Sequence, residues 1–167
     1  MEIEEIRSMI HSRTPTAILT EAPGAKPPMN TMAKESNDLR KVGLKVTHPR
    51  MRILALLEHT ARHHMTAEDI YRQLLDCGDE IGLATVYRVL TQFEAAGLVL
   101  KHNFEGGQAV YELDRGGHHD HMVDVDTGKI IEFESHEIEE LQHKIAAEHG
   151  YELEEHSLVL YVRKKRR

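Results

Sequence analysis

The sequence predicts an α+β chain of two small domains, on three observations. Helical periods stop in turn at Gly43, Gly78 and Gly97, two alternating strands follow the last of them, and the pattern changes again after Asp114-Arg115-Gly116-Gly117. Helices followed by a hairpin are the layout of a winged helix-turn-helix, expected over residues 32–114. A hinge is read at 115–117, a small ββαβ dimerisation domain at 118–162 and a basic tail at 163–167.

Residues 1–31 hold no sustained period. Thr14-Pro15-Thr16 and Ala22-Pro23-Gly24-Ala25-Lys26-Pro27-Pro28 read as flexible linker, so this stretch is expected to be a disordered or dispensable extension with at most a short helix over 2–11. The first patterned helix is expected over 36–42. Thr47-His48-Pro49 opens a second, with Pro tolerated in the first turn and Ile53, Leu54, Leu56 and Leu57 as its apolar face. Thr66 with Asp69 three residues on makes a capping-box start for a third, which carries Ile70, Tyr71, Leu74 and Leu75. The fourth, 83–96, is expected to bury Leu83, Val86, Leu90 and Phe93. Strands 98–103 and 108–113 flank the glycine-containing loop Phe104-Glu105-Gly106-Gly107. In the second domain, 119–126 and 129–134 form a hairpin around Thr127-Gly128. Residues 135–149 follow as a helix with Ile138, Leu141 and Ile145 on one face, and 157–162 as a closing strand. Such a unit is too small to bury its apolar surface alone, so pairing with a second copy is expected.

Composition narrows the class. The chain has 167 residues, 40% of them hydrophobic and 5% aromatic, with no Trp, so aliphatic side chains must do most of the packing. Its one cysteine, Cys77, excludes an internal disulfide and any thiolate-cluster metal site within one chain, and reads as a small packing residue. No apolar run is long enough to cross a bilayer and the acidic start is wrong for a secretory signal, so a cytoplasmic protein is expected. The net charge of −7 hides an uneven distribution. Residues 40–53 carry five basic side chains and no acidic one, while residues 115–162 carry 3 basic against 12 acidic, a balance of 3 − 12 = −9. Local charge decides the partner.

On the fourth helix Ala84, Tyr87, Arg88 and Thr91 fall opposite the apolar face. The small residues Ala84 and Thr85 near its start let the backbone approach a groove, the Tyr ring can pack on thymine methyls, and Arg can bond guanine or a phosphate. The same face would also suit a merely solvated surface. The basic segment with Lys41, Lys45, Arg50 and Arg52 tilts the reading toward DNA.

His118-His119-Asp120-His121 is the most informative tetrapeptide. On a strand, His118 and Asp120 point one way and His119 and His121 the other, so one segment can serve two metal sites. Three His and an Asp in four residues of an acidic domain favour metal over an exposed polar turn. Remaining ligands by residue type are His64, Glu112, Glu139 and His156, with His136, His143 and His149 as competitors. His136, Glu140 and His143 share a helix face that suits a solvated stripe better than a site.

Together these segments resemble the ferric uptake regulator family of bacterial metal-responsive repressors, from about Leu39 to Val162. The resemblance rests on Gly43-Leu44-Lys45-Val46-Thr47, Pro49-Arg50, the run Gly82-Leu83-Ala84-Thr85-Val86-Tyr87-Arg88-Val89-Leu90, the run His102-Asn103-Phe104-Glu105-Gly106-Gly107, and the histidine tetrapeptide. It implies a homodimer that binds an AT-rich palindromic operator when loaded with Fe(II), with Mn(II) or Zn(II) as other occupants, and that represses iron-acquisition genes. It implies one metal site on His64, Glu112, His119 and His121 and a second on His118, Asp120, Glu139 and His156. For DNA it points to Tyr87 and Arg88 in the major groove, Lys45 toward the minor groove and Arg50 at the backbone. One departure is clear: Asp124 and Thr127 stand where many members carry a Cys-x-x-Cys pair, so no sulfur-bound structural zinc is expected. A manganese- or zinc-responsive relative is the nearest alternative. A metal-dependent hydrolase lacks a nucleophile elbow or HExxH, and a metal buffer leaves the winged helix without a use. No membrane partner, small-molecule substrate or catalytic residue is expected.

Overall fold

The computed structural model describes residues 29–105 and 107–165, so the short helix expected over 2–11 lies outside the described residues. The fold is α+β, and the chain divides into two compact units between Gly116 and Gly117. Each is described by itself.

In the first unit, α1 (Met29–Lys41) starts seven residues earlier than the period suggested and takes in three residues assigned to the extension. Nothing between Pro28 and Lys41 breaks a helix, so the period ran further than its apolar residues advertised. Three more helices follow, α2 (His48–His59), α3 (Ala67–Asp76) and α4 (Leu83–Ala95). Thr66 and Asp69 form the expected reciprocal capping box at the start of α3. The apolar residues that recur at helical spacing converge on one core: Leu39 from α1, Ile53, Leu54 and Leu57 from α2, Ile70 and Leu74 from α3, and Val86, Leu90 and Phe93 from α4. Each such side chain contributes about 1.5–3 kcal/mol by leaving water. The buried face of α4 is shifted from expectation, since Val89 is buried and Leu83 only half-buried.

Gly97 ends α4 at φ +66°, a conformation that L side chains rarely adopt, and Leu98 bonds back to Phe93 O at 2.9 Å. That turn feeds β2 (Val99–His102), which pairs antiparallel with β3 (Val110–Leu113). A two-residue strand, β1 (Met65–Thr66), completes a sheet of order β1-β3-β2.

Arg52 corrects the reading of 40–53 as a basic stretch facing phosphate. It is 7% exposed and closes on Asp79, with Nη2 at 2.7 Å and Nε at 2.8 Å from Oδ2. The pair ties α2 to the turn that precedes α4.

In the second unit, β4 (Asp120–Asp124) lies between β5 (Ile130–Phe133), antiparallel, and β6 (Val159–Val162), parallel. A parallel partner needs a crossover, and α5 (His136–Glu148) supplies it, with the Ser135 hydroxyl accepting from Ile138 N at its start. Asp124 and Thr127 serve the β4–β5 turn. The Asp124 carboxylate accepts from Asp126 N at 2.9 Å, and that bond holds its pKa below the usual carboxylate range. No residue of α5 is buried, and Leu141, Ile145 and Leu160 are 55%, 47% and 37% exposed.

Asp79→Ala leaves the Arg52 guanidinium buried without its counter-charge. It should lower stability by about 3–5 kcal/mol in urea denaturation, while Asp38→Ala, which breaks an exposed pair with Lys41, should cost less than about 1 kcal/mol.

Candidate metal centres and nucleic-acid surface

The first unit builds its donor group from a strand too short to be read in the sequence. Met65 lies opposite Tyr111, and that register carries the preceding His64 alongside Glu112, 48 residues away in the chain. His64 Nε2 lies 3.2 Å from Glu112 Oε2, with side chains 8% and 5% exposed. His102, absent from the sequence-derived site, completes the group. Leu100 sits opposite Glu112, so His102, two residues on, projects from the same face diagonally across the pair. Its Nε2 lies 2.6 Å from Glu112 Oε1, and its ring stacks on Phe104 with centroids 5.6 Å apart. Strand alternation could have found it once the hairpin register was known.

The second unit separates the histidine tetrapeptide as alternation requires, although β4 begins only at Asp120 and His118-His119 form its extended lead-in. On one side, a single oxygen, Asp120 Oδ1, lies 3.3 Å from His118 Nε2 and 3.5 Å from His156 Nε2. The two imidazole centroids are 3.8 Å apart. These three residues place their ligand atoms within 4.8 Å of one another, and Asp120 is 2% exposed. His156 Nε2 is buried with no hydrogen-bond partner among the described residues. A buried nitrogen without a partner, aimed at a carboxylate shared with a second imidazole, fits a cation-binding site. Glu139 does not join the group: it stands half-buried in the first turn of α5.

On the other side, His119 and His121 meet edge to face with centroids 4.9 Å apart. Glu132 lies directly opposite His121 in the β4–β5 pair, a carboxylate that the sequence reading passed over because the register was not available to it. His136 is 83% exposed and pairs with Glu140 at 3.1 Å, a solvated contact on the surface of α5. Imidazoles with carboxylates suit Fe(II), Mn(II) or Zn(II), and both units supply such donors.

On α4 the polar face is exposed as expected at Ala84, Tyr87, Arg88 and Thr91, while Thr85 is half-buried. The Tyr87 hydroxyl donates to Glu68 Oε1 at 2.8 Å; that bond raises its pKa and fixes the ring against α3. Lys45 is exposed. Arg50 is otherwise engaged: Nη1 donates to Lys45 O at 2.6 Å, and Nε and Nη2 donate to Gln92 Oε1 at 3.2 and 2.9 Å. Its guanidinium holds the Lys45 loop against α4.

The ferric uptake regulator family model matches residues 41–161. A ferric uptake regulation protein of Pseudomonas putida is 61% identical over 132 residues, 79% of this chain and 98% of the relative. The solved ferric uptake regulator of Pseudomonas aeruginosa, determined with manganese, aligns with a TM-score of 0.69 at 60% identity, covering 79% of this chain and 98% of that one. The Vibrio cholerae ferric uptake regulator, whose structure is described by a rearrangement of its DNA-binding domains, aligns with a TM-score of 0.73 at 50% identity over 77% and 98% of the two chains.

Asp120→Ala removes the oxygen that both imidazoles face. Equilibrium dialysis with Mn(II) should find affinity at one site lowered by at least about tenfold, whereas His136→Ala should leave binding unchanged.

Proposed function

The chain belongs to the ferric uptake regulator family, and on that premise we propose that it is an Fe(II)-dependent homodimeric repressor of iron-acquisition genes that binds AT-rich palindromic operators. The observation that carries the proposal is the division of labour along β4 and its lead-in. One strand sends His118 and Asp120 to one side and His119 and His121 to the other, each with further donors of metal-binding type nearby in its own unit. Relatives named for ferric uptake support iron as the signal, and the manganese-bound relative supports Mn(II) as a second occupant. Zn(II) suits the same donor types.

One ion is proposed to be held by His64 and Glu112 of the first unit together with His119 and His121 of the second. When bound it supplies a link across Gly116-Gly117. His64 and Glu112 then hold the winged unit to the second unit, so that two α4 helices of a dimer keep the spacing of successive half-sites. Linkage requires that DNA tighten metal binding in return. A second ion is proposed on His118, Asp120 and His156, with Glu139 as a further ligand from the first turn of α5. This second site joins β4 and its lead-in to the segment before β6, and through Glu139 would reach α5, so it bears on the stability of the unit as well as on sensing.

Dimerisation is supported by the apolar side chains that the second unit leaves in water. Leu141 and Ile145 on α5 and Leu160 on β6 are all large and exposed, more than scattered surface residues require. DNA reading is assigned to Tyr87 and Arg88 on α4, with Ala84 and Thr85 permitting close approach and Lys45 reaching the adjacent groove. Arg50 acts mainly through Lys45. No helix among the described residues is long and apolar enough to cross a membrane. A DNA partner with no small-molecule substrate and no catalytic residue is the reading proposed, and the cytoplasm is its setting.

In gel-shift assays on an AT-rich palindrome, Mn(II) should be required for binding. His64→Ala should remove that requirement's effect, giving no shift with or without metal, while sedimentation still reports a dimer. Arg88→Ala should weaken the metal-loaded complex by about 1–3 kcal/mol with metal content unchanged. Full operator affinity of the metal-free chain would overturn the reading.

A further inference from the structure

Away from both sites, α1 and the end of α2 bring together Glu35, Glu58 and His59, whose ligand atoms lie within 4.8 Å of one another. Glu35 is fully buried, and neither of its carboxylate oxygens has a hydrogen-bond partner among the described residues. A carboxylate in that state is costly to keep, because burial removes its water and no side chain among the described residues donates to it. Burial raises its pKa, against the lowering pull of its own backbone N–H, and the neighbouring Glu58 carboxylate adds to the rise. Lys34 does not answer the need: its Nζ bonds Glu58 Oε2 at 2.9 Å.

We propose that Glu35, Glu58 and His59 form a third divalent-cation site, which fastens α1 to the C-terminal end of α2. Two carboxylates and one imidazole form a donor set for a hard to borderline ion such as Mn(II), Fe(II) or Zn(II). With Lys34 on one Glu58 oxygen, the other stays available. His59 Nδ1 lies 2.8 Å from Ala55 O and donates to it, which orients the ring and puts the lone pair on Nε2. Burial is graded across the group, from Glu35 at the floor through half-buried Glu58 to exposed His59, so an ion has a path in and room for water on its outer side. Two carboxylates against one ammonium leave the pocket with a net negative charge, which favours a cation. The occupied site would fix the helix that leads through Gly43 into the Lys45 loop.

The test uses the full chain, Zn(II) and Mn(II) as probes, and two variants, Glu35→Gln and His59→Ala. Equilibrium dialysis with metal analysis should find one ion fewer per chain in each variant than in the unaltered protein. The metal-induced rise in melting temperature should shrink in both, while the melting temperature without metal holds or rises in Glu35→Gln. His59 is exposed, so its replacement keeps the test valid if Glu35→Gln fails to fold. Equal ion counts in all three proteins would overturn the site. Equal counts with only the metal-free stability of Glu35→Gln altered would likewise overturn it and assign Glu35 a buried proton. His118→Ala, which acts on a different site, should lose an ion whichever way this result falls, so the two readings fail separately.

Discussion

An extended backbone turns successive side chains to opposite faces, and the donor chemistry of this protein depends on that constraint. His118-His119-Asp120-His121 would crowd four ligands on one turn if it were helical. As the lead-in and start of β4 it gives two pairs that do not compete, one gathered on Asp120 Oδ1 with His156, the other beside Glu132. The position of β4 between two neighbours makes the alternation rigid. A one-residue slip would exchange the two faces, and ladders on both sides resist it. The same logic operates in the first unit, where the β1–β3–β2 register brings His64 and His102 to Glu112 from either side.

Burial then separates carboxylates that serve the fold from those that serve a ligand. Asp79 is nearly enclosed yet satisfied, because Arg52 offers two donors to one oxygen. Glu112 is enclosed between two imidazoles, which can be donors or metal ligands according to their protonation. Asp120 faces two more. Glu35 stands at the far end of this series, buried to the same degree with no side-chain donor among the described residues. Exposed carboxylates such as Glu140 fit none of these roles and meet only a solvated partner.

Much of this was legible in the sequence, and the failures have physical causes. Periodicity located α3 to α5 within a residue or two, as well as the start of α2, and the Thr66–Asp69 box marked its helix start, because these signals are local. The histidine alternation was legible for the same reason. What was not legible depends on tertiary register. A two-residue strand leaves no periodic trace, so the route by which His64 reaches Glu112 was hidden, and His102 and Glu132 were missed with it. The burial of Val89 in place of Leu83 reflects the fit of α4 against its neighbours rather than any property of the helix itself. Charge counting erred on Arg52, since a cation's composition says nothing about which oxygen it will find.

The pairing of Arg52 with Asp79 has a consequence for how any polyanion would sense this surface. Arg52 is locked into the fold, and Arg50 spends its fork on Gln92 and on the carbonyl of Lys45. Arg50 bonds only neutral oxygens and keeps its charge. Arg52, matched by Asp79, is not free to replace a condensed counterion on a phosphate backbone, so fewer ions are released on contact than the count of basic residues between 40 and 53 implies. The salt dependence of association should therefore be shallow for so basic a stretch, and the discrimination of one sequence from another correspondingly less diluted by non-specific attraction.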